Sequence, residues 1–254
     1  MYSGHFKQLE IQNIMITTAK KIQALNSLTE EINPTIIYNE GWMIRLLVIE
    51  SMIEKLKIKD INFGLLASKK WSSEALIASP FIDTKENREG YTHADLIMGD
   101  FSVNYEARGE VILDENPEVL GIIEAKMGSN LSQGTSNAKD IYNQASRNVC
   151  CLSYVTKNNP ICELFFVVSA PNATIKKHEI ERQVKRENIL EQIENRFKHS
   201  KETYKPEIKK QVEKCKLVII SYEEWIAELQ NIEVQKMLGS FYNECLKYNK
   251  IKDY

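Results

Sequence analysis

The sequence predicts an α/β fold, a mixed central β-sheet flanked by helices, with helical extensions at both ends. Three observations predict it. Short β-prone runs broken by polar clusters follow one another between residues 62 and 126. Two later runs, 164–169 and 217–220, are continuously apolar, as strands buried on both faces are. Segments with helical spacing lie before, between and after these runs, the pattern of helices layered on a sheet.

In order along the chain, residues 2–25 carry Phe6, Leu9, Ile14, Ile22 and Leu25 at loosely helical spacing. They predict an amphipathic first helix used for packing or dimerisation. Asn33 followed by Pro34 supplies an N-cap and a first-turn proline for a second helix reaching Lys57, with Trp42, Leu46, Ile49, Ile53 and Leu56 along one stripe. Candidate strands are 62–67, 75–80, 94–99 and 120–126, with an extra pairing at 111–113. Helix is expected at 137–156, at 175–198, which is highly charged, and at 222–230, with more helix to the end. No internal repeat, low-complexity tract or flexible linker interrupts the chain, so the expected division is a core at 33–230 between helical extensions at 1–32 and 231–254.

Composition narrows the class. Across 254 residues the apolar share is 43% and the charged share 27%, both ordinary for an ordered globular chain. No secretory leader or membrane-length apolar run is seen, so a soluble, cytoplasmic protein is expected. The five cysteines, Cys150, Cys151, Cys162, Cys215 and Cys245, form no C-x-x-C pair and predict reduced thiols rather than disulfides or a zinc ribbon. A net charge of −2 argues against a protein that coats nucleic acid. Residues 171–216 nevertheless hold 13 Lys or Arg against 8 acidic residues, either a phosphate-facing stripe or a solvated charged helix.

The chemistry concentrates in Gly121-Ile122-Ile123-Glu124-Ala125-Lys126, an apolar strand ending in two charges. Side chains at i and i+2 of a strand share a face, so Glu124 and Lys126 emerge together while Ala125 faces away. A carboxylate there can bind a divalent metal, and an ammonium beside it can hold an attacking water or steady charge on a phosphoryl oxygen. Asp95 heads a second apolar strand, where a carboxylate must cap, pair with a cation or ligate. Glu40 has Ile36, Ile37, Met43 and Ile44 as its helical neighbours, so it either points from a buried face toward a metal or Lys126, or snorkels to water.

Other residues carry plainer readings. His93 shares a face with Asp95 and is either a ligand or acid–base group, or a hydrogen-bonded neighbour. Asp100 falls on the other face from Asp95 and ranks below it as a ligand. Cys150 and Cys151 read as small core residues. The polar stretch 128–137 reads as a loop beside the substrate entry and has the wrong spacing for a P-loop.

Asp95, then Glu124-x-Lys126 at the end of an apolar strand, with Glu40 on a preceding helix and Gln144 on a following one, resembles the PD-(D/E)XK nuclease superfamily over roughly residues 33–230. That resemblance implies a restriction-endonuclease-like fold. It also implies one or two Mg²⁺ or Mn²⁺ ions held by Asp95, Glu124 and the carbonyl of Ala125, with Glu40 as a further ligand, and Lys126 beside the attacking water. Ala94 stands where the motif's name has proline. Gln144 matches the glutamine of an exonuclease-like Gln-x-x-x-Tyr pattern, but Asn148 occupies the tyrosine position. Gln144 and Arg147 are expected to touch the nucleic-acid backbone.

The expected function is therefore metal-dependent hydrolysis of DNA phosphodiesters, with a homodimer suited to double-strand cleavage and a role in defence by analogy of fold. The alternative is a catalytically silent member of the same fold acting as a nucleic-acid-binding or assembly subunit.

Overall fold

The computed structural model of the protein describes residues 17–85, 87–107, 109–133 and 141–251. It begins with α1 (Thr18–Leu28), α2 (Pro34–Ile37) and α3 (Glu40–Ile53), followed by β1 (Lys57–Ile58), β2 (Ile61–Asn62) and α4 (Phe63–Leu66). Then come β3 (Lys70–Ala78), β4 (Tyr91–Gly99), β5 (Phe101–Asn104), β6 (Glu110–Leu113), β7 (Val119–Ala125), α5 (Gln144–Val155) and β8 (Glu163–Ala170). The chain closes with α6 (Asn172–Lys177), α7 (Ile180–Gln183), α8 (Arg186–Ser200), α9 (Pro206–Lys214), β9 (Lys216–Ser221), α10 (Tyr222–Ala227) and α11 (Ile232–Tyr248).

Seven strands form one sheet in the order β5-β6-β3-β4-β7-β8-β9, while β1 and β2 pair separately. β4 runs antiparallel to β3 and β7, whereas β7, β8 and β9 run parallel. The fold is thus α/β with a mixed sheet covered by helices on both faces, as the sequence predicts. On one face Met43, Ile44 and Leu47 of α3 and Phe241 of α11 pack with Ile123 and Phe165. On the other, Val149 and Leu152 of α5 and Phe197 of α8 pack with Ile122 and Phe166. Coverage on both sides explains why β7 and β8 read as unbroken apolar runs rather than alternating ones. Gly121 is required within β7, because a Cβ there would lie 2.2 Å from the Phe165 ring.

Several local expectations change. The predicted helix from Asn33 is two helices, because Asn39 is extended and caps α3 by accepting from the Trp42 N–H at 3.0 Å. The cap turns the buried face of α3 toward Met43, Ile44, Leu47 and Val48 and leaves Ile53 exposed, not the stripe through Trp42 and Ile53. The run 62–67 is mostly the short helix α4, since four apolar residues suit a helical turn as well as a strand. The expected helix 175–198 is broken into α6, α7 and α8, with Glu179 in the left-handed region at φ 49°. β5 and α9 were not anticipated. Residues 2–16 of the expected first helix, and 134–140 of the polar loop and of the expected start of α5, lie outside the described residues.

Most of the basic residues of 171–216 are exposed, but three of them serve the fold. Arg186 donates to the carbonyls of Val212, Glu213 and Cys215, and Lys214 to those of Pro160 and Cys162. Arg196 is fully buried. Among the described residues, no helix is long and apolar enough to cross a membrane.

Candidate active site

The site forms where two antiparallel strands part. The β4·β7 ladder runs from Gly99↔Leu120 to Leu96↔Ile123 and stops, although the next pair in that register is Asp95↔Glu124. On the other side of β4 the pairing with β3 passes from Ser73↔Leu96 to Ala75↔Ala94, omitting Glu74 and Asp95, and Glu74 sits at φ 56°. β4 rolls over at this point: Leu96 and Met98 join the core under α3, whereas Ala94 joins the core under α5. Regular alternation would keep residues 94, 96 and 98 on one face. Asp95 is therefore the fifth residue of a nine-residue strand, not its head as expected, and the roll leaves its carboxylate half-buried between the two cores. One oxygen, Oδ2, accepts the backbone N–H of Ala125 at 2.8 Å, in place of a strand-to-strand hydrogen bond.

Glu124 projects from β7 toward α5 and is fully buried. Its Oε1 accepts from Lys126 Nζ at 2.5 Å and from Gln144 Nε2 at 2.6 Å, and its Oε2 accepts from Asn148 Nδ2 at 2.9 Å. Both carboxamides are aimed by further bonds. Thr92 donates its hydroxyl to Asn148 Oδ1 at 2.6 Å, and Gln144 Oε1 accepts from the Ser132 N–H and hydroxyl, each at 3.3 Å. The amide nitrogens are thereby turned to Glu124. Local sequence explains the placement of α5, whose cap Asn143 accepts from the Ser146 N–H at 2.9 Å and puts Gln144 in the first turn with Asn148 one turn on. Burial, and next the charge on Asp95, push the Glu124 carboxyl up to about 8, while Lys126 pulls the other way.

Glu40 opens α3 as its first residue, beside the positive end of the helix, rather than sitting within a continuous helix flanked by Ile36 and Ile37. No hydrogen bond or ion pair among the described residues joins it to Asp95, Glu124 or Lys126. It does act on Tyr222, whose phenol is raised well above its ordinary range by burial first, then by Glu40, with Asp95 also contributing. Tyr222 and Ser169 are fully buried, and their hydroxyls have no hydrogen-bond partner among the described residues. Ser169 lies in register with Ala125, and Tyr222 follows Ser221 at the end of β9, so both belong to the strand ends that carry Lys126.

The remaining candidates are placed plainly. Arg147 turns away from Glu124 to Glu89, with Nε 4.0 Å from the carboxylate. Glu89 also takes Arg196 at 3.3 Å and the Tyr142 hydroxyl, making a buried knot under the Phe81 ring. His93 is exposed. Asp100 is a structural clasp: Lys69 and the N–H groups of Glu118 and Val119 hold it, and they keep its carboxyl below the usual range despite burial. All five cysteines are buried and free, as core residues.

Asn148, Thr92, Ser169 and Tyr222 were missed as site residues. Asn148 carried a signal, four residues after Gln144, but its carboxamide serves Glu124 where the motif leads one to expect a tyrosine.

Chemically the site offers two carboxylates converging from different strands, one ammonium and two oriented carboxamides. Among the described residues no group of three or more His, Cys, Asp or Glu is placed to hold a metal ion. A hard divalent cation such as Mg²⁺ is nonetheless compatible with the pair, because it binds through one or two carboxylates and fills its shell with water and phosphate oxygens. The mutual repulsion that helps raise the Glu124 carboxyl is the kind a cation relieves. No family model, no curated protein and no solved structure matches the chain.

Proposed function

We propose that the chain is a Mg²⁺-dependent nuclease of the PD-(D/E)XK superfamily, with a restriction-endonuclease-like core that hydrolyses phosphodiester bonds of DNA. One observation carries the reading: Asp95 and Glu124 are register neighbours at a fork in the sheet, with Lys126 2.5 Å from Glu124. A fork of this kind forgoes strand pairing and gathers two carboxylates in a sheet interior, a cost that proteins tend to bear at functional sites.

Asp95 and Glu124 would hold the metal together with the carbonyl of Ala125, which lies between Glu124 and Lys126 in sequence, and Mn²⁺ would substitute for Mg²⁺. When bound, such an ion polarises a phosphoryl oxygen and makes hydroxide available near neutral pH. Lys126 steadies negative charge that builds on the phosphoryl group and orients the attacking water. Gln144 and Asn148 fix the Glu124 carboxylate, and fixed neighbours of this sort typically change metal affinity or activity by about 10–100-fold. Glu40, at the start of α3, would add its negative charge to the attraction for the ion. Two sites brought together in a homodimer suit cleavage of both strands. Incubating supercoiled plasmid, linear duplex and single-stranded DNA with Mg²⁺ or Mn²⁺, beside a chelator control, tests the reading; absence of chelator-sensitive cleavage on every substrate refutes it.

The second reading is a catalytically silent nucleic-acid-binding or assembly subunit of the same fold. Its supporting observation is that Glu124 is already bonded by Lys126, Gln144 and Asn148. Binding of the same DNA without turnover at any metal concentration favours it.

A further inference from the structure

Beside the catalytic fork, at the carboxyl ends of β7 and β8 and on the α5 side, lies a polar recess of about 420 Å³. Its walls include Asn130, Asn143, Gln183, Asn188 and Gln192, with His178 at one edge. Carboxamides dominate it, and four have one half fixed by the protein. Asn130 Oδ1 accepts from Gln183 Nε2 at 2.8 Å, and the same Gln183 nitrogen donates to the His178 carbonyl at 2.6 Å. Asn188 Nδ2 donates to the Arg182 carbonyl at 2.5 Å. Gln192 Oε1 accepts from the Asn143 N–H at 2.8 Å and from the Ser146 hydroxyl at 2.9 Å.

These bonds orient what is left. Asn130 Nδ2 and Gln192 Nε2 remain as donors, and Gln183 Oε1 and Asn188 Oδ1 remain as acceptors, with no other partner among the described residues. Oriented donors and acceptors side by side match the edge of a nucleobase, which carries both. A phosphate carries only acceptors; the Arg182 guanidinium in the wall could meet it, but Arg182 stands 3.5 Å from the Glu179 carboxylate that also lines the recess, and the two carboxamide oxygens would face the anion unpaired. The recess is tied to the cleavage chemistry through consecutive residues: Asn143 lines it, and Gln144 bonds Glu124.

We infer that this recess binds an unpaired nucleobase of the strand being cut, reading its hydrogen-bonding edge with Gln183, Asn188, Gln192 and Asn130. The inference rests on the nuclease reading for its substrate, and it adds a base-binding subsite next to the scissile bond. A base entering there has left the stack, as bases do when side chains must reach their edges.

The test is fluorescence anisotropy with the full chain in EDTA, comparing a mixed-sequence single-stranded deoxyoligonucleotide with a fully abasic strand of the same length. The base-bearing strand binds on the order of ten-fold tighter, the discrimination expected of base-edge hydrogen bonds. Gln183→Ala and Asn188→Ala, both at partly exposed positions, each reduce that ratio severalfold and leave the abasic strand's affinity unchanged. Equal affinity for the two strands, an unchanged ratio in both variants, or displacement of the oligonucleotide by a neutral disaccharide overturns the inference. Base-dependent binding without chelator-sensitive cleavage keeps the subsite and refutes the nuclease reading. Cleavage with no base dependence does the reverse.

Discussion

The backbone N–H of Ala125 donates to the Asp95 carboxylate at 2.8 Å, at the first position where β4 and β7 no longer pair. One oxygen of Asp95 therefore closes the fork while the carboxylate stays directed at Glu124. Removing that acceptor separates structure from chemistry. Asp95→Ala leaves a partly buried N–H unmet and costs about 1 kcal/mol, whereas Asp95→Asn keeps an acceptor and costs less. Urea unfolding of the two variants measures the difference; equal loss in both contradicts the assignment of this bond.

Stability should depend on pH through Glu124. In the unfolded chain its carboxyl titrates near 4.5, and in the folded, metal-free chain at about 8. The folded state thus keeps a proton that the unfolded state releases, so the stabilisation is complete below the unfolded value and is lost as pH rises through the folded one. Between pH 4.5 and 7 the loss approaches about 3 kcal/mol, at roughly 1.4 kcal/mol per unit. In chelator, Glu124→Gln flattens this slope. A wild-type melting temperature that rises from pH 5 to pH 8 would contradict the burial argument.

Asn148→Leu strips Glu124 Oε2 and the Thr92 hydroxyl of their buried partner. Leaving such groups unmet costs about 1–3 kcal/mol. Turnover falls by about ten-fold or more as the carboxylate loses its orientation. Thermal unfolding and single-turnover cleavage measure the two effects. Unchanged turnover in the folded fraction would make Asn148 a packing residue only.

The Glu89 knot is structural and answers to stability instead. Arg196→Met leaves Glu89 buried with only Tyr142 and the more distant Arg147. Breaking one side of a buried ion pair costs about 3–5 kcal/mol. Cleavage per folded molecule stays near wild type, so a specific loss of turnover without a fall in melting temperature would move this cluster into the site.

Glu40→Gln should raise the Mg²⁺ concentration needed for half-maximal cleavage by several-fold, since a charge near the fork is removed from the first turn of α3. Metal titration of the purified variant reads this directly. A superimposable titration assigns Glu40 to the helix end alone.

Much of this was legible in the sequence because the informative residues lie close together. Glu124 and Lys126 share a strand and a face, so spacing alone joins them, and the apolar run before them marks a covered strand. A helix carrying Gln144 was legible, but it was expected from 137, and the cap at Asn143 that sets Gln144 in its first turn was not anticipated. Contacts between distant elements were not legible. Thr92, Asn148 and Glu124 meet from β4, α5 and β7, and no local pattern records that meeting. The roll of β4 at Asp95 depends on Glu74 in a left-handed conformation, and the break before α7 on Glu179 in another. Neither is a glycine, so neither carried a compositional sign. Arg147, three residues after Gln144, was expected on the nucleic acid because helical spacing cannot reveal the buried Glu89 that holds it.

The most direct measurement is single-turnover cleavage of plasmid and single-stranded DNA by the wild type, Asp95→Asn and Lys126→Ala, with and without chelator. The account predicts Mg²⁺-dependent product from the wild type and a loss of about a hundred-fold or more in each variant, with melting temperatures within a few degrees of wild type. No chelator-sensitive product from the wild type, or undiminished cleavage by either variant, contradicts it.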